Sequence, residues 1–145
     1  MAIVRKHRGV SEFFNRISML LNVVGGSSKR RDMIRDINLK EMSKALVCGQ
    51  LETGTGLNQE QSLQRPGDTR WSSHYKSLKS LVGMFSTIVK VLEIVEKDKK
   101  DWKIRDQASN LLEYFRSFDF VLYLHLMLTI LGTTNILSLA LQRKD

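Results

Sequence analysis

Apolar residues in the first fifty positions of the chain recur every three or four residues, which is the period of an amphipathic α-helix. The first such set consists of Val10, Phe13, Phe14, Ile17, Leu20, Leu21 and Val24. Gly25 and Gly26 follow this set and predict the end of a first helix. Ser27 or Ser28 can cap a second, more polar helix that runs to about Gly49 and has a thinner apolar face.

Residues 50–68 break this helical pattern. Their sequence, QLETGTGLNQEQSLQRPGD, contains three glycines, the only proline of the chain and few apolar side chains. Glycine and proline interrupt regular structure, and loops of this length are usually functional or mobile. The sequence therefore predicts a long central loop at about residues 50–68.

Two heptad-like seams follow the loop, with apolar residues spaced alternately by about four and three positions. The first seam is Trp71, Tyr75, Leu78, Val82, Phe85, Val89 and Leu92, and the second is Ile104, Ala108, Leu111, Phe115, Phe118 and Leu122. The charged stretch EKDKKDWK separates them, so we expect two long antiparallel helices that bury their seams against each other. Phe85 and Phe115 should then be among the most buried residues.

The most apolar run of the chain is FDFVLYLHLMLTIL, at residues 118–131. It is too short to span a bilayer and includes Asp119 and His125, so we expect a buried helix and no membrane contact. The N-terminal MAIVRKHRG lacks the apolar core of a signal peptide, which argues against secretion.

Gly132 should end or kink the helix that contains this run, because glycine is a poor residue for a helix interior. Thr133, Thr134 or Asn135 should then cap a last helix. With no alternating strand pattern anywhere, the sequence predicts an all-α fold of four or five helices, with residues 1–145 forming one domain.

The charge of the chain favours a polyanionic partner such as DNA. Twenty-three lysines and arginines stand against fifteen aspartates and glutamates, which gives a net charge of +8. Basic residues cluster at positions 5–8, 29–31 and 97–103, and Lys29, Arg30 and Arg31 are candidates for phosphate contacts. Charge runs at helix ends can equally be solvated surface, so this alternative stays open.

The segment RPGDTRW, at residues 65–71, supplies the other DNA-binding candidates. Arg65 and Arg70 could contact phosphates, and Trp71 could stack on a base beside a helix N-terminus. A purely structural interpretation is also open, in which Asp68 or Thr69 caps the next helix and Trp71 begins its buried seam.

Catalytic and metal chemistry have little support in the sequence. Asp68, Ser72 and His74 lie within about two helical turns, but positions 72 and 74 face different directions, so a nucleophile and a base would not converge. Cys48 and the three histidines have no metal-ligand spacing. We therefore expect no enzymatic activity, no metal site and no cofactor, and the single cysteine fits a reducing compartment.

Four motifs together resemble the middle part of plant zinc-finger MYM-type-like proteins, which descend from hAT-superfamily transposases. They are GVSEFF, SSKRRDMIRD, LETGTGLNQEQSLQRPGDTRWSSHYKSL and FVLYLHLMLTILGTTNILSLALQRKD. The resemblance covers nearly the whole chain, and the RPGDTRW and LGTTNILSLALQRKD blocks are its most specific parts. It implies that the chain is a fragment in and around the helical insertion domain of such a transposase.

The resemblance also implies which functions to expect. The acidic catalytic residues of the family and its CxxH motif lie outside the matched region, so none maps onto this chain. Arg70 and Trp71 match the family's RW signature near the active site. We therefore expect a catalytically inactive, nuclear fragment that retains at most weak DNA binding through a basic surface, with a cytoplasmic location otherwise. The alternative is a helical protein-interaction module in which exposed apolar helix faces bind a partner.

Overall fold

The structure, a computed structural model, describes residues 7–49, 63, 65 and 71–143. In these residues it contains α-helices and no β-strand, so the all-α prediction is confirmed, with six helices instead of four or five. They are α1 (Arg8–Gly25), α2 (Ser28–Val47), α3 (Trp71–Gly83), α4 (Phe85–Lys97), α5 (Trp102–Phe115) and α6 (Phe118–Gln142). Apart from residues 63 and 65, the predicted loop at 50–68 lies outside the described residues.

The two N-terminal helices agree with the sequence pattern. α1 buries six apolar residues, and Gly26 ends it by donating its N–H to the carbonyl of Asn22 at 2.9 Å. Ser27 has an extended backbone before α2, although its hydroxyl accepts no capping hydrogen bond. In α2 only Ile34 is fully buried, which fits the thin apolar face expected of this helix.

The first seam is divided at Met84, where α3 stops and α4 begins. Met84 is 1% exposed, and the residues that face the core with it are Leu78, Leu81, Ile88, Val91, Leu92 and Val95. The seam is therefore rotated by about one residue from the predicted one, and Val82, expected to be buried, is 48% exposed. The period of the pattern allowed either register, since Leu81 and Val82 are both apolar.

α4 and α5 pack against each other, joined by the charged residues 98–101. Asp101 caps α5, since its Oδ1 accepts hydrogen bonds from the N–H groups of Lys103 at 3.1 Å and Ile104 at 3.2 Å. Phe115 is buried as predicted, but Phe85 is only half-buried, and the ring centroids of the two lie 5.5 Å apart.

The second seam is also divided, at Arg116 and Ser117. The Ser117 hydroxyl accepts the N–H of Phe120 at 3.2 Å and so caps a separate helix, α6. This helix carries the aromatic centre of the core. The ring of Phe120 lies near those of Phe115 at 4.7 Å, Phe85 at 5.7 Å and Phe13 at 6.2 Å between centroids.

The prediction that Gly132 ends the helix is wrong, because the 25-residue α6 runs from Phe118 to Gln142 and includes Gly132. Thr133 and Thr134 cap nothing. Their hydroxyls donate to the carbonyls of Thr129 and Ile130, each at 2.9 Å, within the helix. Gly132 has a packing role instead, since the ring of Tyr75 lies directly against it.

Candidate interaction surfaces

α6 has two apolar faces, and only one of them is buried. The inner face holds Phe120, Met127 and Leu131, which are at most 5% exposed and contact α1, α3 and α5. The spacing of these residues, seven and then four, keeps them on one side of the helix. The sequence-based expectation of a buried helix at 118–131 therefore holds for this side alone, and Phe118 and Leu122 of the predicted seam are exposed.

The opposite face carries a set of exposed apolar side chains that we call the outer stripe, with the exposed Asp119 near its N-terminal end. Successive residues of a helix turn by about 100°, which places the members of the stripe within an arc of about 120°. They are Phe118 (77% exposed), Leu122 (46%), Leu126 (42%), Ile130 (47%), Ile136 (68%) and Leu137 (60%). Exposed single apolar residues are common, but six on one side of a helix, four of them at successive four-residue steps, form the type of patch that marks interaction sites.

Thr129 and Thr133 lie within the outer stripe and do not make it markedly polar. Their hydroxyls donate to the carbonyls of His125 and Thr129, both at 2.9 Å. A threonine whose hydroxyl is satisfied by its own helix needs no hydrogen bond from a partner. The two threonines therefore form a low, uncharged region between the larger side chains of the stripe.

α6 also has the length and composition of a membrane span, with a mean hydropathy of 1.7 in its most apolar window, of which 22% is buried. The helix extends to Gln142, so the argument that the apolar run is too short is wrong. A span would, however, have to withdraw Phe120, Met127 and Leu131 from the core. The absence of a membrane contact stays a prediction.

The second candidate surface is a groove of about 140 Å³ between the start of α2 and the α4–α5 turn. Basic residues surround it, and we call it the basic groove. The groove brings the cluster at 29–31 next to the cluster at 97–103. The exposed cations of these two clusters are Lys29, Arg31, Lys97, Lys99, Lys100 and Lys103. Asp98 and Asp101 also line the groove. The carboxylate of Asp98 accepts the N–H of Lys100, and that of Asp101 accepts N–H groups of the first turn of α5.

Two of the predicted DNA-binding residues have structural partners. Arg30 is half-buried and donates from Nε to the carbonyl of Val23, in the last turn of α1. Arg65 is exposed and donates from Nη2 to Oδ1 of Asn22, on the same helix. Both arginines therefore brace the C-terminal part of α1, where a cation interacts favourably with the helix dipole.

The other candidates of the RPGDTRW segment lie wholly or partly outside the described residues. Arg70 lies outside the described residues, as do Asp68 and Thr69. Trp71 is the first residue of α3, and its side chain is also outside the described part. Lys29 and Arg31 remain as predicted contacts whose side chains are exposed, and Lys29 lines the groove.

A larger cavity, of about 310 Å³, lies between α1, α5 and the start of α6. Burial raises the pKa of Tyr114 in this cavity to about 12, and the charges of Glu12 and Asp119 add to the effect. The guanidinium of Arg16 lies over the Tyr114 ring, 5.4 Å from its centroid, and pairs with Glu12 at 3.4 Å. Among the described residues that line this cavity, Ser117 is the only serine, threonine or cysteine. Its hydroxyl caps α6 by accepting the N–H of Phe120, so we do not count it as a nucleophile.

In the described ranges, no group of three or more His, Cys, Asp or Glu side chains lies close enough together to hold a metal ion. Cys48 is free and exposed at the end of α2.

The outer stripe was missed by the sequence analysis, although the four-residue steps from Phe118 to Ile130 were a signal for it.

No protein-family model matches the chain, and no solved structure is significantly similar to it.

Proposed function

We propose that this chain is a non-catalytic helical interaction domain, of hAT-transposase-like ancestry, that docks through the outer stripe of α6. The observation that carries the proposal is the set of six exposed apolar side chains on one side of a helix whose opposite face is anchored in the core. The ancestry rests on the motif resemblance, which would also place the protein in the nucleus of a plant cell.

The energetics favour docking through this surface. Burial of a full leucine, isoleucine or phenylalanine side chain contributes roughly 1.5–3 kcal/mol, so covering a half-exposed one contributes roughly 1 kcal/mol. Six such contributions can exceed the lower estimates of the entropic cost of association, which begin at about 4 kcal/mol. A charged residue in the middle of the stripe should remove this gain, because the charge would have to be desolvated.

Selection from a library of amphipathic helical peptides tests the proposal. The wild-type chain is the target and Leu126→Glu is the counter-target, while Val47→Glu controls for adding an exposed carboxylate elsewhere, since Val47 is 88% exposed on α2. Peptides that bind the wild type and Val47→Glu, but not Leu126→Glu, would support docking through the stripe. A selection that yields no binder sensitive to Leu126→Glu would contradict it.

We also propose weak DNA binding through the basic groove as a second function. Its support is the juxtaposition of Lys29, which lines the groove, with the exposed lysines of the α4–α5 turn. Asp98 and Asp101 line the groove as well and oppose a phosphate, so the expected binding is weak. A protein that neutralises DNA phosphates releases the cations condensed on them. The logarithm of its DNA affinity should therefore fall linearly with the logarithm of the salt concentration.

The second proposal is tested by titrating duplex DNA with the chain at several salt concentrations. We expect Lys29→Ala to weaken binding and to reduce the salt slope by roughly one phosphate contact, because Lys29 is exposed and lines the groove. Arg8→Ala, at the start of α1, serves as a control because Arg8 is also exposed but does not line the groove. An absence of measurable affinity at low salt would rule out this function.

A further inference from the structure

We infer that the DNA bound by this chain is single-stranded, and that Trp102 of α5 stacks on one of its bases beside the lysines of the α4–α5 turn. The inference rests on the second proposed function, DNA binding, and names the form of DNA that binds. Three observations support it: the exposure of Trp102, the cations near it in the chain, and the polar character of its side of α5.

Trp102 lies exposed at the first position of α5. It is 72% exposed, and in the described part of the chain it belongs neither to the core nor to the half-buried residues packed against the core. The side chain of a helical residue leans toward the N-terminus of its helix, which directs the indole toward the turn at 98–101. Trp102 therefore adds little to folding and presents an aromatic ring to solvent.

Exposed cations flank this indole along the chain. Residues 97–105 contain five basic side chains and two acidic ones, Asp98 and Asp101, which leaves a local excess of three positive charges. The carboxylates of both aspartates accept backbone N–H groups, so they are held close to the backbone, whereas the longer basic side chains extend further into solvent. The five exposed basic residues are Lys97, Lys99, Lys100, Lys103 and Arg105.

The indole does not line the basic groove. Trp102 and Ile104 are two positions apart on α5, so their side chains leave the helix about 160° apart, and it is Ile104 that lines the groove. Arg105 lies one turn after Trp102, on the same side of the helix. The base contact is thus separate from the phosphate contact proposed for Lys29, and the two can be tested independently.

Single-stranded DNA matches this combination of groups. Each nucleotide offers a phosphate to a cation and the flat face of an unpaired base to an aromatic ring. In a duplex the bases are stacked on one another and present only their edges in the grooves, so an indole on the protein surface cannot reach their faces. Because a base is uncharged, Asp98 and Asp101 do not oppose the stacking contact as they oppose a phosphate.

A lipid surface is a poorer match to Trp102. Helices that lie in a membrane interface bury a whole apolar face at the boundary between headgroups and acyl chains. The residues on the Trp102 side of α5 are exposed and polar, so insertion of the indole would carry charges toward the bilayer. They are Arg105, Asp106 and Ser109.

Fluorescence anisotropy with labelled oligo-dT of about twelve nucleotides, within the range of known single-strand sites, tests the inference on the full chain. The reference probe is an abasic oligomer of the same length, which keeps the phosphates and lacks the bases. The wild type should bind oligo-dT at least about fivefold more tightly than the abasic oligomer. This ratio should change little with salt, because both probes carry the same number of phosphates.

Three variants of Trp102 assign the ratio to stacking. Trp102→Ala and Trp102→Leu should reduce it to about one, because neither keeps an aromatic ring, whereas Trp102→Phe should keep most of it. Trp102 is exposed, so all three should retain the circular dichroism spectrum and the urea midpoint of the wild type. Duplex affinity and its salt slope should be nearly the same in Trp102→Ala as in the wild type.

Each contrary outcome overturns a defined part of the account. A base preference that survives in Trp102→Ala, or that is lost equally in Trp102→Phe, would overturn stacking on Trp102. So would a loss in Trp102→Ala of binding to vesicles containing phosphatidylserine with no change in oligo-dT binding. If duplex DNA binds and Lys29→Ala lowers its salt slope, but the wild type does not prefer oligo-dT, the groove function holds and this inference fails. If no DNA binds at low salt, both fail.

Discussion

Tyr75 of α3 packs so closely against Gly132 of α6 that a Cβ at position 132 would lie 3.3 Å from Cε2 of the ring. Gly132 is half-buried and lies on the flank of α6 that packs against α3, between the inner face of Phe120, Met127 and Leu131 and the outer stripe. The contact holds the middle of the helix against α3 at one edge of the stripe. The sequence pattern had suggested this glycine as a break.

Enlarging this glycine should destabilise the fold. Gly132→Val inserts three carbon atoms where even a Cβ is tight, and overpacking of this kind costs about 1–3 kcal/mol. Gly25→Val is the control, since nothing lies within 4 Å of a Cβ there. The measurement is urea denaturation in dilute solution. Equal stabilities for the two variants would show that α3 and α6 are not packed as described.

The two faces of α6 should respond differently to loss of a phenyl ring. Phe120 is 2% exposed and contacts three other phenylalanines, so Phe120→Ala should cost about 3–5 kcal/mol of unfolding free energy. Phe118, two residues away, is 77% exposed, so Phe118→Ala should change stability by less than about 0.5 kcal/mol in dilute solution. Thermal or urea unfolding checks both, and similar losses would contradict the assignment of the faces.

Arg30 should contribute to stability, whereas its exposed neighbour Arg31 should not. Arg30 donates to the carbonyl of Val23, so Arg30→Ala should lower stability by about 1 kcal/mol, the usual contribution of one hydrogen bond. Arg31 is exposed, so Arg31→Ala should leave stability nearly unchanged. Denaturation curves of the two variants decide this, and a larger loss for Arg31→Ala would reverse the assignment.

Removal of the α5 cap should weaken the α4–α5 pair. Asp101→Ala leaves the N–H groups of Lys103 and Ile104 without their carboxylate acceptor, which costs about 1 kcal/mol at a helix N-cap. Asp101→Asn keeps an acceptor oxygen at the same position and serves as the control. We expect urea midpoints in the order wild type, Asn variant, Ala variant. An Ala variant as stable as the wild type would argue against this cap.

Tyr114 should make stability fall at alkaline pH. Its pKa is raised to about 12 in the folded chain by burial first and then by Glu12, so between about pH 10 and 12 the unfolded state loses the phenol proton while the folded state keeps it. The folded state then binds more protons, and stability declines as the pH rises through this window. Tyr114→Phe should show a smaller decline between pH 9 and 11 in urea denaturation. Equal declines would mean that Tyr114 does not contribute.

Much of the helical content could be predicted from the sequence, because the apolar period is independent of what each helix packs against. α1 ends at the glycine pair, and Phe115 is buried as the second seam required. The register of the first seam could not be predicted, since Leu81 and Val82 satisfy the period equally well. Only tertiary packing, which places Met84 in the core, decides between them.

The candidate surfaces were harder to predict, for a physical reason. An apolar helix face has the same sequence pattern whether it is buried in its own core or exposed for a partner. α6 has apolar residues on most sides, so periodicity could not distinguish Phe120 from Phe118. Likewise, the charge of Arg30 and Arg65 indicated phosphate contacts, whereas their reach to the end of α1 depends on how the chain folds back.

Docking through the outer stripe requires that the stripe is accessible in the free chain and covered when a partner binds. Alkylation of a Leu126→Cys chain measures this, with the native, exposed Cys48 as an internal reference. In the free chain, the thiol introduced at position 126 should react at a rate similar to that of Cys48. When a helical peptide selected against the wild type is added, its rate should fall while that of Cys48 stays constant. A thiol at position 126 that reacts slowly in the free chain, or at an unchanged fast rate with the peptide present, would contradict docking through the stripe.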